Sequence, residues 1–169
     1  EGGVKDHHGR YYTVENAHLY TLPDEPPKIL VSGFGEASAQ LAGRIGDGYC
    51  GASPEGDLVS LFRSSGGADK PAHGGAKVCW DEDEKEARRT AHRLWPNEQL
   101  PGQLAQELPT PAHFEQASSL VTEEMVAEAV PCGPDPERHR QMIREYLEAG
   151  YDEIYIQQIG PQQEGFFRF

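Results

Sequence analysis

A glycine-bearing loop between an apolar run and a helical pattern is the part of this sequence best suited to bind a ligand. Residues 28–32 (KILVS) have the composition of a buried parallel strand, and residues 33–35 (GFG) follow it. A helical pattern then covers residues 36–45. The amide groups of such a loop and the N-terminus of the next helix can bind a phosphate, and glycine lets a ligand approach the backbone closely. The alternative is that the two glycines only turn the chain.

Thiol and metal chemistry are not indicated by the remaining reactive side chains. Cys50, Cys79 and Cys132 are widely spaced and form no CxxC pair, which excludes zinc ribbons and thioredoxin-like redox motifs. Each lies in or beside an apolar run, so we expect small buried thiols in a reducing cytoplasm. The seven histidines show neither HxxxH nor HExxH spacing. We therefore expect no metal site.

The formal net charge is −13, and the second half of the chain carries most of it, with 8 basic and 18 acidic side chains over residues 81–169. This negative charge repels the phosphate backbone of nucleic acids, so we expect no nucleic acid partner. No apolar run approaches the roughly 20 residues that cross a bilayer, and no basic and apolar leader opens the sequence. We expect a cytoplasmic protein with no membrane partner. The start at Glu1 fits a fragment or a processed product.

Strand and helix patterns alternate along the chain. Predicted strands cover residues 28–32, 48–50, 76–80 and 152–158, and helical patterns cover residues 36–45, 57–64, 81–94, 113–120, 123–129 and 134–149. Residues 1–27 form an irregular lead-in with strand character at 11–14, and residues 95–121 form an insertion. This alternation predicts parallel strands joined by crossover helices. An open doubly wound sheet and part of a (βα)8 barrel both satisfy it.

The short strands, with Gly and Pro in the loops at their C-terminal ends, favour the barrel. Four strands are half of a barrel's eight, and 169 residues fall below the ~250 typical of the complete fold. A free half-barrel would expose two strand edges and one apolar sheet face. We therefore expect a single α/β domain over residues 1–169, and we expect the missing half to be part of the native molecule.

Six short motifs in the right order give this sequence its resemblance to the luciferase-like monooxygenases. They are residues 9–17 (GRYYTVENA), 32–35 (SGFG), 41–48 (LAGRIGDG), 110–117 (TPAHFEQA), 132–136 (CGPDP) and 158–161 (QIGP). Within that family the chain most resembles the branch that uses the deazaflavin coenzyme F420, close to its glucose-6-phosphate dehydrogenases. The resemblance implies the C-terminal half of a (βα)8 TIM barrel. It would contain strands 5–8 with their helices, and residues 95–121 would be a helical insertion between strands 7 and 8.

The resemblance also implies a cofactor site. The cofactor would lie across the C-terminal ends of the strands, with its ribityl-phosphate side against the first two strand-to-helix loops of this chain. The residues implied in cofactor binding are Ser32, Gly33, Phe34, Gly35, Ala52 and Ser53. The acid/base residues of the family belong to the first half of the barrel, so we predict no catalytic residue in this chain.

Three residues at strand ends are candidates for a substrate pocket. Trp80 ends the third predicted strand, where a plain core role is the alternative, and Gln157 and Gln158 end the fourth. Glucose-6-phosphate dehydrogenases of the F420 branch bind the substrate phosphate with lysines, and the best-matching positions here are Glu55 and Gln116. A carboxylate repels a phosphate and an amide neutralises nothing, so glucose 6-phosphate is not the expected substrate.

Three hypotheses for function follow. The leading one is an oxidoreductase that transfers a hydride between coenzyme F420 and a small organic substrate, with this chain supplying the phosphate side of the cofactor site. The second is an FMN-dependent luciferase-like monooxygenase, since both cofactors share the ribityl phosphate. The third is a non-catalytic half-barrel that associates with a second copy of itself. The expected partner is the N-terminal half-barrel or, in a homo-oligomer, another copy of the chain.

Overall fold

The computed structural model describes residues 3–105 and 107–169. Its strands are β1 (Lys5–His8), β2 (Thr13–Ala17), β3 (Leu30–Ser32), β4 (Gly48–Gly51), β5 (Ala72–Val78) and β6 (Glu153–Gln158). The first two form an antiparallel hairpin, and the other four form one parallel sheet in the order β3-β4-β5-β6. The α/β class and the four consecutive parallel strands are therefore confirmed.

The helices over the described residues are α1 (Glu36–Ile45), α2 (Gly56–Phe62), α3 (Glu84–Leu94), α4 (Pro111–Ser118), α5 (Glu123–Ala129), α6 (Pro136–Glu148) and α7 (Gln163–Arg168). A π turn extends α2, and short 3-10 turns lie between α3 and α4. At the start of α5 the hydroxyl oxygen of Thr122 accepts a hydrogen bond from the Met125 N–H at 3.3 Å and caps the helix.

One core lies between the sheet and helices α1, α2 and α6. Along β5 buried residues alternate with less buried ones, because successive side chains of a strand point to opposite faces of the sheet. The buried face of β5 packs against large side chains of β4, of the helices and of the loop before β6: Tyr49, Phe62, Met142, Tyr146 and Tyr151. This packing fixes the positions of the strand ends, where the predicted site lies.

A second core lies beyond the C-terminal ends of β5 and β6. Cys79 and Ile159, which directly follow these strands, pack with Ala87 of α3 and Val126 of α5. The chain returns to the sheet at Cys132, which pairs with Cys79 in a parallel bridge. Helices α3 and α5 therefore belong to a helical layer at this end of the sheet, and residues 95–105 and 107–121 lie within the same layer.

The observed elements differ from the predicted ranges at several places, and three of these differences bear on the site or on the start of the chain. Strand β5 begins at Ala72 rather than at residue 76, since its first half contains two glycines and lacks the β-branched residues that mark a strand. Helix α2 covers Gly56–Phe62 with Glu55 as its N-cap residue, and the chain continues as a π turn where the helical pattern had been expected to run to residue 64. The lead-in, expected to be irregular, contains the β1–β2 hairpin.

The sheet leaves apolar surface and two strand edges uncovered in the described chain. The outer strands are β3 and β6, and β6 exposes four of its six residues. Leu30, Tyr155 and Ile156 are among the exposed large hydrophobic residues of these strands. This is the surface that half of a closed barrel presents to the other half.

Candidate functional site

The loops after β3 and β4 end at the same edge of the sheet. Ser32, the last residue of β3, is paired in parallel register with Cys50 of β4. The loop Ser32–Gly35 and the residues Ala52 and Ser53 are therefore neighbours, as the prediction requires. Phe34, Gly35 and Ala52 are exposed, whereas Gly33 is buried.

Helix α1 begins at this edge with a free N-terminus. Gly35 is its N-cap residue in an extended conformation (φ −149°, ψ 165°), and no side chain caps the helix. The first amide groups of such a helix carry partial positive charge and can meet an anion. A Cβ added at Gly35 would meet no atom within 4 Å, so open space lies in front of this residue. Glu36 is the acidic residue of the first turn and weakens the field at this end.

Gly33 has a different role from Gly35. A Cβ at Gly33 would overlap the Cβ of Ser38 in α1, so only glycine lets the loop fold closely against the helix. The carbonyl oxygen of Gly33 accepts a 2.8 Å hydrogen bond from the hydroxyl group of Tyr49, which lies in the core. Gly33 thus holds the loop against the core, and Gly35 leaves the solvent side of the loop accessible.

Two more core tyrosines hold the second loop. Tyr146 of α6 shares its single hydroxyl hydrogen between the carbonyl oxygens of Gly75 at 2.8 Å and of Ala52 at 3.0 Å. Tyr151, in the loop before β6, donates to the carbonyl oxygen of Ser53 at 3.0 Å. Burial raises the pKa of Tyr146 to about 12 and also raises the pKa of Tyr49 and Tyr151, so all three stay neutral donors at physiological pH.

The carboxylate of Glu55, which the sequence had suggested would repel a phosphate, is held beside Ser53. The Ser53 hydroxyl group donates a 2.7 Å hydrogen bond to the Glu55 carboxylate. This carboxylate lies beside the second loop and disfavours an anion there. Of the two loops, the one after β3 is therefore the better place for a phosphate. Gln116, the other position of interest for substrate charge, is exposed on α4.

A cavity of about 390 Å³ lies beside the second loop, between the ends of β4 and β5, the C-terminal half of α6 and the helical layer. Its cation is Lys77, which makes a 2.8 Å ion pair with Glu98 and lies 5.0 Å from the centre of the Trp95 ring. Glu145 adds a second carboxylate to the lining. Because Lys77 is already paired with Glu98, the cavity offers no unpaired cation to a phosphate and suits neutral groups better.

The three candidate pocket residues have different environments. Gln158 is buried, and its side-chain amide bonds both the N–H and the C=O of Trp80, at 2.8 and 3.0 Å. It holds β5 and β6 together at their ends and has no free polar atom to offer a ligand there. Gln157 is exposed. Trp80 packs against Gly165 and lies 5.9 Å from the Phe169 ring, and its indole N–H is buried without a partner in the described part of the chain.

Neither a metal cluster nor a spanning helix is found in residues 3–105 and 107–169. No group of three or more His, Cys, Asp or Glu side chains there could hold a metal ion. Over the same residues no helix combines the length and the apolar character needed to cross a membrane.

Comparison with known proteins identifies the family. The model of the luciferase-like monooxygenases matches residues 1–153. The chain belongs to this family. The same comparison accounts for the fold, because half of the luciferase-like barrel consists of parallel strands and helices of this kind.

Curated relatives of this family member are F420-dependent glucose-6-phosphate dehydrogenases. The protein from Rhodococcus hoagii is 27% identical over 177 aligned residues, covering 98% of this chain and 52% of the relative. The one from Kribbella flavida is 28% identical, covering 94% of this chain and 51% of the relative. The chain thus spans about half the length of the curated relatives it matches.

Solved structures give the same architecture. An F420-dependent secondary alcohol dehydrogenase in complex with an F420-acetone adduct superposes with a TM-score of 0.74 at 23% identity, covering 90% of this chain and 49% of that one. The coenzyme F420-dependent tetrahydromethanopterin reductase from Methanopyrus kandleri gives 0.63 at 18% identity, covering 98% and 55%. The described sheet and helices therefore form half of the luciferase-like barrel fold.

Proposed function

We propose that this chain is the C-terminal half of an F420-dependent oxidoreductase and supplies the phosphate side of its cofactor site. The observation that carries the proposal is the pair of adjacent loops after β3 and β4, with the uncapped N-terminus of the ten-residue helix α1 at their edge. Family membership and the F420-dependent relatives support the choice of cofactor. The proposed cofactor-binding residues remain Ser32, Gly33, Phe34, Gly35, Ala52 and Ser53.

The residues present fit the phosphate side of such a cofactor. Open space in front of Gly35 leaves room for the group, and the first amides of α1 supply donors for its charge. Ala52 and Ser53 contribute from the neighbouring loop, although Glu55 limits how closely an anion can approach Ser53. When bound, F420 supplies the hydride chemistry. The contribution of this chain is to bind and orient the cofactor.

The partner we propose is the N-terminal half of the barrel. The exposed apolar residues of β3 and β6 supply a surface that a second half-barrel would cover. That half is also the expected source of the acid/base residues, so no residue of this chain is proposed as catalytic. A homo-oligomer of the complete protein, its location in the cytoplasm and the placement of residues 95–121 between strands 7 and 8 remain predictions.

We propose an uncharged substrate, such as an alcohol or a carbonyl compound, rather than a sugar phosphate. Glu55 beside the second loop and the paired state of Lys77 both disfavour a second phosphate near the strand ends. Trp80 and Gln157 remain candidates for lining the substrate pocket. Gln158 is set aside because its amide bonds the backbone of Trp80.

The deciding experiment is a cofactor titration of the complete protein, in which this chain is joined to its N-terminal half. We expect F420 to bind with a change in its own fluorescence and to be reduced or oxidised in the presence of a small alcohol or ketone. Binding of FMN instead would favour the monooxygenase hypothesis. A monodisperse dimer of this chain that binds neither cofactor would favour the non-catalytic module.

A further inference from the structure

The structure contains three tyrosines that lie side by side beneath the two cofactor loops. Tyr49, Tyr146 and Tyr151 are all buried, and the Tyr151 ring lies 6.3 Å from the Tyr49 ring and 5.4 Å from the Tyr146 ring. Each hydroxyl group donates to a loop carbonyl: Tyr49 to Gly33, Tyr146 to Ala52 and Tyr151 to Ser53. The tyrosines therefore bind three carbonyl groups of the two loops from the core side.

Strand glycines make room for two of these rings. A Cβ at Gly74 of β5 would overlap the Tyr146 ring, and a Cβ at Gly51 of β4 would overlap the Tyr151 hydroxyl group. Both glycines lack the β-branched side chain that usually stabilises a strand. The missing side chains at Gly74 and Gly51 therefore leave room for the Tyr146 and Tyr151 side chains. Packed in this space, the two hydroxyl groups lie within hydrogen-bond distance of the loops.

The direction in which a loop carbonyl points also sets the direction of the N–H group of the following residue. The peptide bonds of the described chain are all trans, so the C=O of one residue and the N–H of the next point in opposite directions. With the Gly33 and Ala52 carbonyls held toward the core, the N–H groups of Phe34 and Ser53 point away from it. No protein acceptor for either N–H is found among the residues the structure describes. The third carbonyl, that of Ser53, precedes Pro54, which has no N–H.

We propose that Tyr49 and Tyr146 are positioning residues that hold the N–H groups of Phe34 and Ser53 toward the cofactor phosphate. The inference rests on the proposed function, because it assumes that the cofactor lies over these loops. Tyr151 binds the same backbone in the same way, but its peptide has no N–H to orient. It therefore stabilises the loop without presenting a donor.

The test compares three Tyr→Phe variants of the complete protein by fluorescence titration with F420 and by thermal unfolding. Tyr49→Phe and Tyr146→Phe should each weaken cofactor binding roughly three- to tenfold, since each frees one peptide group that donates to the phosphate. Tyr151→Phe should lower the unfolding temperature to a similar degree while changing the dissociation constant less than twofold. In amide NMR spectra of the wild type, the N–H signals of Phe34 and Ser53 should shift when F420 is added.

Two results would overturn the inference while leaving the proposed function intact. One is wild-type affinity for F420 in Tyr49→Phe and Tyr146→Phe, together with unshifted Phe34 and Ser53 signals. The other is an equal loss of affinity in Tyr151→Phe, which would reduce the role of all three tyrosines to loop stability. A wild-type protein that binds neither F420 nor FMN overturns the proposed function itself, and this inference with it.

Discussion

The hydroxyl group of Ser53 donates a 2.7 Å hydrogen bond to the carboxylate of Glu55, which places a negative charge beside a loop expected to meet a phosphate. Glu55 is the N-cap residue of α2, but its side chain makes no capping hydrogen bond. Its charge can therefore be removed without the loss of a capping hydrogen bond.

Glu55→Gln should tighten binding of the cofactor phosphate by roughly two- to fivefold, because a nearby repulsion between partly exposed charges is lost. The measurement is the F420 dissociation constant at low and at physiological ionic strength, and the gain should shrink as salt rises. The control is Glu115→Gln, which removes a charge from α4. Equal affinity in Glu55→Gln and wild type at low salt would argue against a phosphate at this loop.

Substitution by alanine should lower stability at Gly33 and cofactor affinity at Gly35. Gly33→Ala should lower the free energy of unfolding by about 1–3 kcal/mol, because its Cβ would overlap Ser38. Gly35→Ala should leave stability nearly unchanged, since its extended backbone and the open space around it accept a methyl group. The same methyl group should weaken F420 binding. Urea unfolding and cofactor titration of both variants check this pair, and a Gly35→Ala protein with full affinity would contradict it.

Asp152 predicts a dependence of stability on acid pH. Although burial alone would raise its pKa, the Ala72 N–H at 2.7 Å and the Arg63 guanidinium at 2.8 Å hold the pKa of Asp152 below its usual value. A lowered folded-state pKa gives stability that is present above the unfolded-state value of roughly 3.9 and is lost as the pH falls through the folded-state value. Asp152→Asn should therefore be less stable than wild type near neutral pH, and the difference should close below roughly pH 4.

Urea unfolding of wild type and Asp152→Asn between pH 3 and 7 measures that difference. Asp24→Asn, in the exposed segment before the sheet, is the matched control and should follow the wild type throughout. A stability difference that stays constant as the pH falls would mean that the carboxylate charge of Asp152 contributes nothing.

The cysteines should react in a fixed order. Burial raises the pKa of Cys79 to about 12 and of Cys132 to about 11, and both side chains lie in the second core. Cys50 is only half-buried. Iodoacetamide at pH 8 should therefore modify Cys50 first, with the other two protected until the protein unfolds. Mass spectrometry of timed samples checks the order, and early labelling of Cys132 would show that the second core opens readily.

The fold was largely predictable from local patterns, and the exceptions have physical causes. Apolar runs followed by Gly-containing loops identify β3 and β4, and the adjacency of their loops follows because parallel strands end at one edge. The first half of β5 showed no such pattern. Position 74 is glycine because a larger side chain would overlap the Tyr146 ring, and glycine does not mark a strand. Strand character at residues 11–14 pointed to β2, but its pairing with β1 was missed, since the residues of both strands are exposed and show no buried periodicity.

The two loops of the candidate site could be predicted from the sequence, but the core tyrosines that bind their carbonyl groups could not. Tyr151 contacts Ser53 across 98 positions of sequence, and Tyr146 contacts Gly75 across 71. No local pattern encodes partners at such separations. Gln158 illustrates the converse, because a polar residue at a strand end suggests a pocket, whereas its amide bonds the backbone of Trp80, just after the neighbouring strand β5.

The bridge between Cys79 and Cys132 has a consequence for how this fold can vary. The Cys79 N–H donates to the Pro131 carbonyl, and the Gly133 N–H donates to the Cys79 carbonyl, both at 2.9 Å. The chain therefore leaves the sheet at Cys79 and rejoins it at Cys132, and the described residues between them pack around an apolar interior that also includes Ile159. We expect this segment to tolerate exchange without a shift in the register of β5 against β6. Under the proposed function, such an exchange would change substrate specificity and leave the loops after β3 and β4 as they are.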